Sequence, residues 1–566
     1  MQLAFSPDGK SLATVGQDDD HTLGVYEWAS GKLKCSAKVD KEKCLGVAFS
    51  GDSRTVAMCG VKFIKFHDIT GRNLTTRKGV FGRKGKIQPL LAVVFAGKDF
   101  LSSTADGNIY RFVDCNVEQA VKAHDVAIFA LHACSAGVAS GAKDGKITLW
   151  SNELEPLCEY DLKTFGATRP EVRSLCWDPA RKRVLIGTAG SDVYEMNSTN
   201  GANVNPGPLI TGHCKDELWG LAVNPVKNEY ATVGDDATLR IWDIATTRQK
   251  QIAMLGCMSR AVSYSPDGSL IVVGLGGRVG RGKQKDDGKW MVFKAEDLTL
   301  LYEARDTKQW ISDIKFSPDG LTLAIGAHDN KIWLYDVNAD FAHRAAFEKH
   351  NAAITHFDFS SDGKYMQSND GAYELLFSDA STGGHIPAAS SLKDVDWATW
   401  TCVLGWPVQG IWPEGADGTD VNAVCRSNSR KVVATVDDFG RLKVFRYPCV
   451  PKASGCKAYR GHSSHVMNVR FTPDDKYIIT AGGNDKTVMQ WEHVSDEVVD
   501  TVRPTLVAAP VEGVGVVVFE RARCGAGDGR AHRGRVQGRD VCGGGGGRRG
   551  PVHGGEAVAG SDRGAD

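Results

Sequence analysis

The chain has 566 residues, 68 basic and 68 acidic, so it exceeds one hydrophobic core and carries no net field toward nucleic acid or membrane. Its fifteen cysteines are scattered without a CxxC pair and read as thiols of a reducing compartment rather than a disulfide frame or a zinc site. No run of about 18 apolar residues and no basic-then-apolar leader occurs, so a soluble intracellular protein with no membrane or nucleic-acid partner is expected.

Residues 1–16, MQLAFSPDGKSLATVG, read as two short strands of period two around the turn Ser6-Pro7-Asp8-Gly9. They look like the second half of a repeated unit, so the start of that unit is expected to be missing. Trp28 closes it. The next unit spans 44–69 and ends in Phe66-His67-Asp68, and others follow near 88–113, 123–151 and 171–197, five in all before Asn205.

After the turn Asn205-Pro206-Gly207-Pro208, residues 212–244 hold the most complete unit. Alternation in Leu218 to Val223, Glu229 to Val233 and Thr238 to Ile241 gives three strands, punctuated by Asn224-Pro225 and Gly234-Asp235-Asp236. Further units lie near 258–293, 310–337, 350–379, 395–447 and 461–493, six in this half. A sheet that cannot bury both faces alone must stack on copies of itself. A period of about 40 residues therefore predicts an all-β fold of tandem β-propellers. The expected domains are an incomplete first propeller over 1–205, a second over 206–495, and a Gly/Arg-rich tail over 496–566. The tail has no apolar period and is expected to be disordered, or the translation of GC-rich sequence in a wrong frame.

The unit resembles a WD40 repeat. In that family a loop His, a strand hydroxyl, a hairpin Asp and the closing Trp hydrogen-bond in series, and here they fall on His213, Thr232, Asp236 and Trp242. The spacing recurs at His124, Ser140, Asp144 and Trp150, and again at His462, Asp485 and Trp491, with Ala481 read at the hydroxyl position.

The Trp-rich unit contains WATWTCVLGWPVQGIWPEGADGTDVNAV. With DELWGLAVNP, SNDGAYELLFSD and GHSSHVMNVRF, it resembles the echinoderm microtubule-associated protein-like (EMAP-like) family over nearly all of residues 1–493. The resemblance implies two tightly joined propellers and a non-catalytic, cytoplasmic protein of the cytoskeleton that recognises tubulin or microtubules. The family's hydrophobic HELP segment, coiled coil and basic linker are not found in this sequence, which implies weaker attachment to the polymer. Basic loops at Arg278 to Lys285, and at Arg83, Lys84 and Lys86, are the expected contacts with acidic tubulin. The rival reading is a general propeller scaffold or ubiquitin-ligase adaptor that recruits other proteins.

Other motifs weigh less. His124, Ser140 and Asp144 are the residue types of a hydrolase triad, but in a blade they satisfy one another, so no catalytic residue is assigned. Gly277 to Lys283 matches GxxxxGK, yet Gln284 replaces the magnesium-binding hydroxyl and strands flank it where a P-loop needs a helix. A basic hairpin insertion is expected instead. Asp18-Asp19-Asp20 lacks the rest of a calcium loop, and His462 with His465 lacks further zinc ligands, so neither metal nor cofactor is expected. Trp397, Trp400, Trp406 and Trp412 are expected to pack between the two propellers.

Overall fold

The computed structural model describes residues 2–277, 285–413, 415–416, 420–452 and 454–494. Eleven antiparallel sheets occur among them, each with its strands in chain order. Sheets 1 to 5 span 2–37, 44–78, 90–122, 128–161 and 172–197, and sheets 6 to 11 span 218–254, 259–305, 311–347, 354–379, 421–460 and 466–492. No helix among the described residues is long and apolar enough to cross a membrane.

The Ser-Pro-Asp-Gly turns do what their residue types dictate. The serine hydroxyl donates to the aspartate at 2.5 Å in Ser6–Asp8, Ser265–Asp267 and Ser317–Asp319. The glycine takes a left-handed φ of 67°, 68° and 73° at Gly9, Gly268 and Gly320, which costs it nothing.

Each core cluster sits between two consecutive sheets. Ala57, Phe66, Phe100 and Phe112 join sheets 2 and 3, and Ala139, Ile147, Trp177 and Ile186 join sheets 4 and 5. In the second half, Val233, Ile241, Val262 and Val273 join sheets 6 and 7, and the series continues to sheet 11. There it closes. Leu218, Leu221 and Trp242 of sheet 6 pack on Ile479 and Ala481 of sheet 11. The Leu218 N–H donates to the Gly483 carbonyl at 3.1 Å, and the Asn468 amide donates to the Trp219 carbonyl at 3.3 Å. Sheets 6 to 11 are thus a closed propeller, while sheets 1 to 5 stack in series with no such cluster between sheet 5 and sheet 1 among the described residues.

One junction of the closed ring is unlike the others. Between the first strands of sheets 9 and 10 runs a non-strand segment that bonds to both. Its Ala398 N–H donates to the Phe359 carbonyl of sheet 9, and its Trp400 carbonyl accepts from Arg426 of sheet 10. Trp397 and Trp400 are buried in the cluster with Val424, Val433 and Phe445. Trp412 is half-buried there, and Trp406 is exposed. This corrects the expected packing of these tryptophans between two propellers. Trp397, Trp400 and Trp412 pack as a wedge inside one ring, and Trp406 stays outside it.

Between residues 203 and 210 the chain runs beside the last strand of sheet 5, with Val193 bridging Ile210 and Met196 bridging Asn203.

Candidate functional site

The network of sheet 6 can be built proton by proton. An indole N–H can only donate, so Trp242 Nε1 gives its hydrogen to Thr232 Oγ1 at 2.7 Å. The hydroxyl then donates to His213 Nε2 at 2.8 Å, which leaves the proton of the neutral ring on Nδ1, facing Asp236 Oδ1 at 2.9 Å. Burial holds His213 below its ordinary pKa. Burial pulls Asp236 up, but hydrogen bonds from His213 and Thr238 outweigh it and hold the carboxyl down to about 2. Arg240 extends the chain to Thr211, whose hydroxyl donates to Asp192 of sheet 5 at 2.6 Å.

Sheet 11 repeats the arrangement with one change from the sequence reading. Trp491 Nε1 donates at 2.9 Å, and His462 Nε2 lies at 2.7 Å, both to Thr480 rather than to anything at Ala481. Thr480 is the fourth residue of Tyr477–Gly482, as Thr232 is of Glu229–Gly234 and Ser140 of Gly137–Ala142. The period of two turns the fifth residue to the opposite face, which is why Ala481 packs on sheet 6 instead. His462 Nδ1 reaches Asp485 at 3.1 Å.

In sheet 4 the series is shorter. Trp150 and His124 meet Ser140 at 2.8 and 2.7 Å, but Asp144 accepts from the Lys146 N–H and His124 Nδ1 has no partner. A polar dent lined by Lys122, His124, Asp144, Lys146 and Glu159 lies there.

A fourth network escaped the sequence reading. His350 Nε2 meets Ser368 at 2.7 Å, and its Nδ1 lies 3.2 Å from Asp370. Ser378 pairs with Met366 where Trp242 pairs with Tyr230, so a small side chain stands at the closing-Trp position. With Glu374 these groups form a cluster of metal-ligand types. Ser368 and Asp370 stand beside His350 as Thr232 and Asp236 stand beside His213, although His350 Nδ1 makes no hydrogen bond, and Glu374 is taken by the Asn351 amide at 2.9 Å.

Two further constellations depend on register. Each inner strand of sheets 6 to 11 skips its second residue in a bulge, at Trp219, Arg260, Ser312, Thr355, Asn422 and Met467. Several of these side chains reach a neighbouring sheet. The Arg260 guanidinium lies 3.7 Å from the Trp219 ring and 4.5 Å from the Trp310 ring, with Asp235 at 3.4 Å and His328 stacked on Trp310. Ser312 donates to the Ile354 carbonyl and Asn422 to the Val466 carbonyl. The second constellation holds the wedge. Asp358 accepts from the Thr399 hydroxyl at 2.6 Å and from the Thr401 and Cys402 N–H groups at 2.8 and 3.0 Å. Lys315 meets the same carboxylate at 3.2 Å and also donates to the Phe357 carbonyl and Thr401. Burial opposes its charge, but Asp313 and Asp358 raise its pKa.

Comparison with known proteins places these sheets. Residues 1–196 match the family model described as the echinoderm microtubule-associated protein first beta-propeller, and 218–493 match the second. Echinoderm microtubule-associated protein-like 2 of Rattus norvegicus is 33% identical over 502 residues, covering 86% of this chain and 74% of the relative. The chain belongs to the echinoderm microtubule-associated protein-like family. Echinoderm microtubule-associated protein-like 4 of Homo sapiens is 32% identical over 547 residues, 92% of this chain and 54% of the relative. In this EMAP-like chain, the Trp-rich stretch supplies the wedge and leads into Val421–Arg426, the first strand of sheet 10. The basic loop expected at Arg278 to Lys285 lies, up to Gln284, outside the described residues, as does the tail from Ser495.

Proposed function

We propose that the chain binds tubulin through its propellers and organises microtubules in the cytoplasm, without catalysing a reaction. The observation that carries this reading is the match of both propellers to the EMAP-like models, in order and over most of the chain. Geometry supports a non-catalytic role. The histidines, hydroxyls and carboxylates of sheets 6 and 11 spend their hydrogen bonds on one another, and a nucleophile would need an oxygen open to substrate. The closed ring of sheets 6 to 11 offers a rigid frame, which lowers the entropy cost of binding.

The test is capture of purified full chain on free tubulin beside co-sedimentation with polymerised microtubules. Saturable capture in either assay supports the reading. Failure in both, with the chain folded by circular dichroism, rejects it.

A further inference from the structure

We propose that the outer rim of sheets 1 and 2, continued by the loop at 79–89, is a docking strip for an extended acidic polypeptide. This rests on the tubulin reading only in that it supplies a surface for an acidic partner. Charge is balanced over the whole chain, yet between residues 53 and 98 ten lysines and arginines face one acid, Asp68. Three of the ten are spent internally: Lys65 on Asp40 at 2.8 Å, Arg77 on Asp68 at 2.7 Å and Lys84 on Glu118 at 2.7 Å. Arg72, Lys78, Arg83 and Lys86 are exposed and make no ion pair among the described residues.

These charges lie along a free edge. Asn73–Lys78 is the last strand of sheet 2 and, among the described residues, pairs only with Phe63–Thr70. Beside it packs Lys32–Ala37, the last strand of sheet 1, which adds exposed Lys32 and Lys34 and no acid. From Arg72 to Lys78 the strip is about 20 Å long at roughly 3.3 Å per residue, which suits six or seven residues of extended chain. The unpaired N–H and C=O groups of the edge could hold such a chain by strand addition.

Lysine on an edge strand also discourages aggregation, and that alone would explain a few of these charges. It does not explain two other features. The outer strands of sheets 3 and 4, Asn116–Lys122 and Pro156–Asp161, are edges too, yet they carry Glu118, Glu159 and Asp161 against Lys122. The basic run also continues past the edge into the loop, beside Val80 and Ile87, which are 52% and 68% exposed. Apolar side chains among unpaired cations favour a peptide over nucleic acid, for which exposed stacking rings would be expected.

The experiment titrates full chain into a fluorescent polyglutamate peptide and, separately, into an oligouridine of similar charge. The strip variant combines Arg72→Glu, Lys78→Glu, Arg83→Glu and Lys86→Glu; a control combines Lys227→Glu, Arg248→Glu, Lys349→Glu and Lys452→Glu, all exposed. The parent is expected to bind polyglutamate more weakly as salt rises from about 25 to about 150 mM. The strip variant should lose about tenfold or more in affinity while the control keeps the parent's. Equal binding by strip variant and parent, equal loss in the control, or tighter binding of oligouridine each overturns the proposal. If the glutamate variant unfolds, the glutamine version at the same four positions must show the loss. Tubulin capture separates the two readings: a parent that holds polyglutamate but not tubulin retires the tubulin reading alone, and one that holds tubulin but not polyglutamate retires the strip alone.

Discussion

Sheets 1 to 5 and sheets 6 to 11 are made of the same unit, but among the described residues only the second set closes. In the ring, Leu218 and Trp242 of its first sheet are covered by Ile479 and Ala481 of its last. In the series, the outward face of sheet 1 leaves Leu3, Phe5 and Trp28 each more than half exposed, with Phe5 and Trp28 in edge contact at 4.8 Å. The contrast teaches that a blade's own network does not make a ring. Sheet 4 has a His, a Ser and a Trp in contact and still belongs to a series with no closing cluster among the described residues. In the second set a wedge also stands between sheets 9 and 10, bonded to both and buried in their shared cluster.

The strongest way to break this contrast is to remove the carboxylate that holds the wedge. Asp358→Ala would leave buried Lys315 with Asp313 alone as counter-charge and strip the Thr401 and Cys402 N–H groups of their acceptor, and a loss of about 3–5 kcal/mol is expected in the unfolding of the second set. The matching change in the series, Asp68→Ala, removes a partly exposed pair with Arg77 and should cost under about 1 kcal/mol. Hydrogen exchange resolved by sheet is the measurement. If amides of sheets 9 and 10 stay as protected in Asp358→Ala as in the parent, the wedge does not hold the ring.

Acid sharpens the comparison. Burial lowers His67 in sheet 2, and His328 and His356 in sheets 8 and 9, to about 4. Their folded pKa values lie below the unfolded value of about 6.5, so the unfolded chain binds more protons and stability falls as pH drops from 6.5 toward 4. Each such histidine removes about 3 kcal/mol by pH 4, whereas the ring carboxylates Asp236 and Asp485, held down to about 2, remain ionised through that window. Calorimetry at neutral pH and near pH 5 should therefore show the ring losing more than the series. A larger drop in the series would contradict this accounting.

A smaller effect separates the complete network from the short one. Asp236→Ala leaves His213 Nδ1 with only the Thr238 hydroxyl at 3.4 Å and should cost about 2 kcal/mol, while Asp144→Ala should cost under about 1, since His124 makes no hydrogen bond to it. Equal shifts in chemical denaturation would mean that a water already joins His124 to Asp144. Smallest of all, Trp406→Ser should change stability by under about 0.5 kcal/mol despite the size of the side chain, because it is 66% exposed. A loss as large as a buried tryptophan's would show that it packs in the wedge after all.

Much of this is legible in the sequence. Period-two strands and Ser-Pro-Asp-Gly turns are local, so they mark sheets directly. The His350 network was hidden because its closing position holds Ser378 and its loop lacks the Gly-His pair. The spacing was there to be read, eighteen residues from His350 to Ser368 against nineteen from His213 to Thr232. The hydroxyl at Thr480 was missed by one residue, a slip that in a strand means the opposite face. The wedge and the Arg260 stack had no local signature. One is a segment without period, and the other depends on bulges that shift register only once the sheets pair.

Closure also has a consequence in time. The contacts of sheet 1 with sheet 2 join residues a few tens apart, but the bond from Asn468 to Trp219 spans 249 positions. On a ribosome adding roughly 5–20 residues per second, about 15–50 seconds pass between the emergence of the ring's first strand and of its last. Throughout that interval Leu218 and Tyr230 have no cover from sheet 11. The nascent chain must carry an apolar sheet face through synthesis, and a chaperone that shields one such face until its distant partner arrives would be acting on sheet 6.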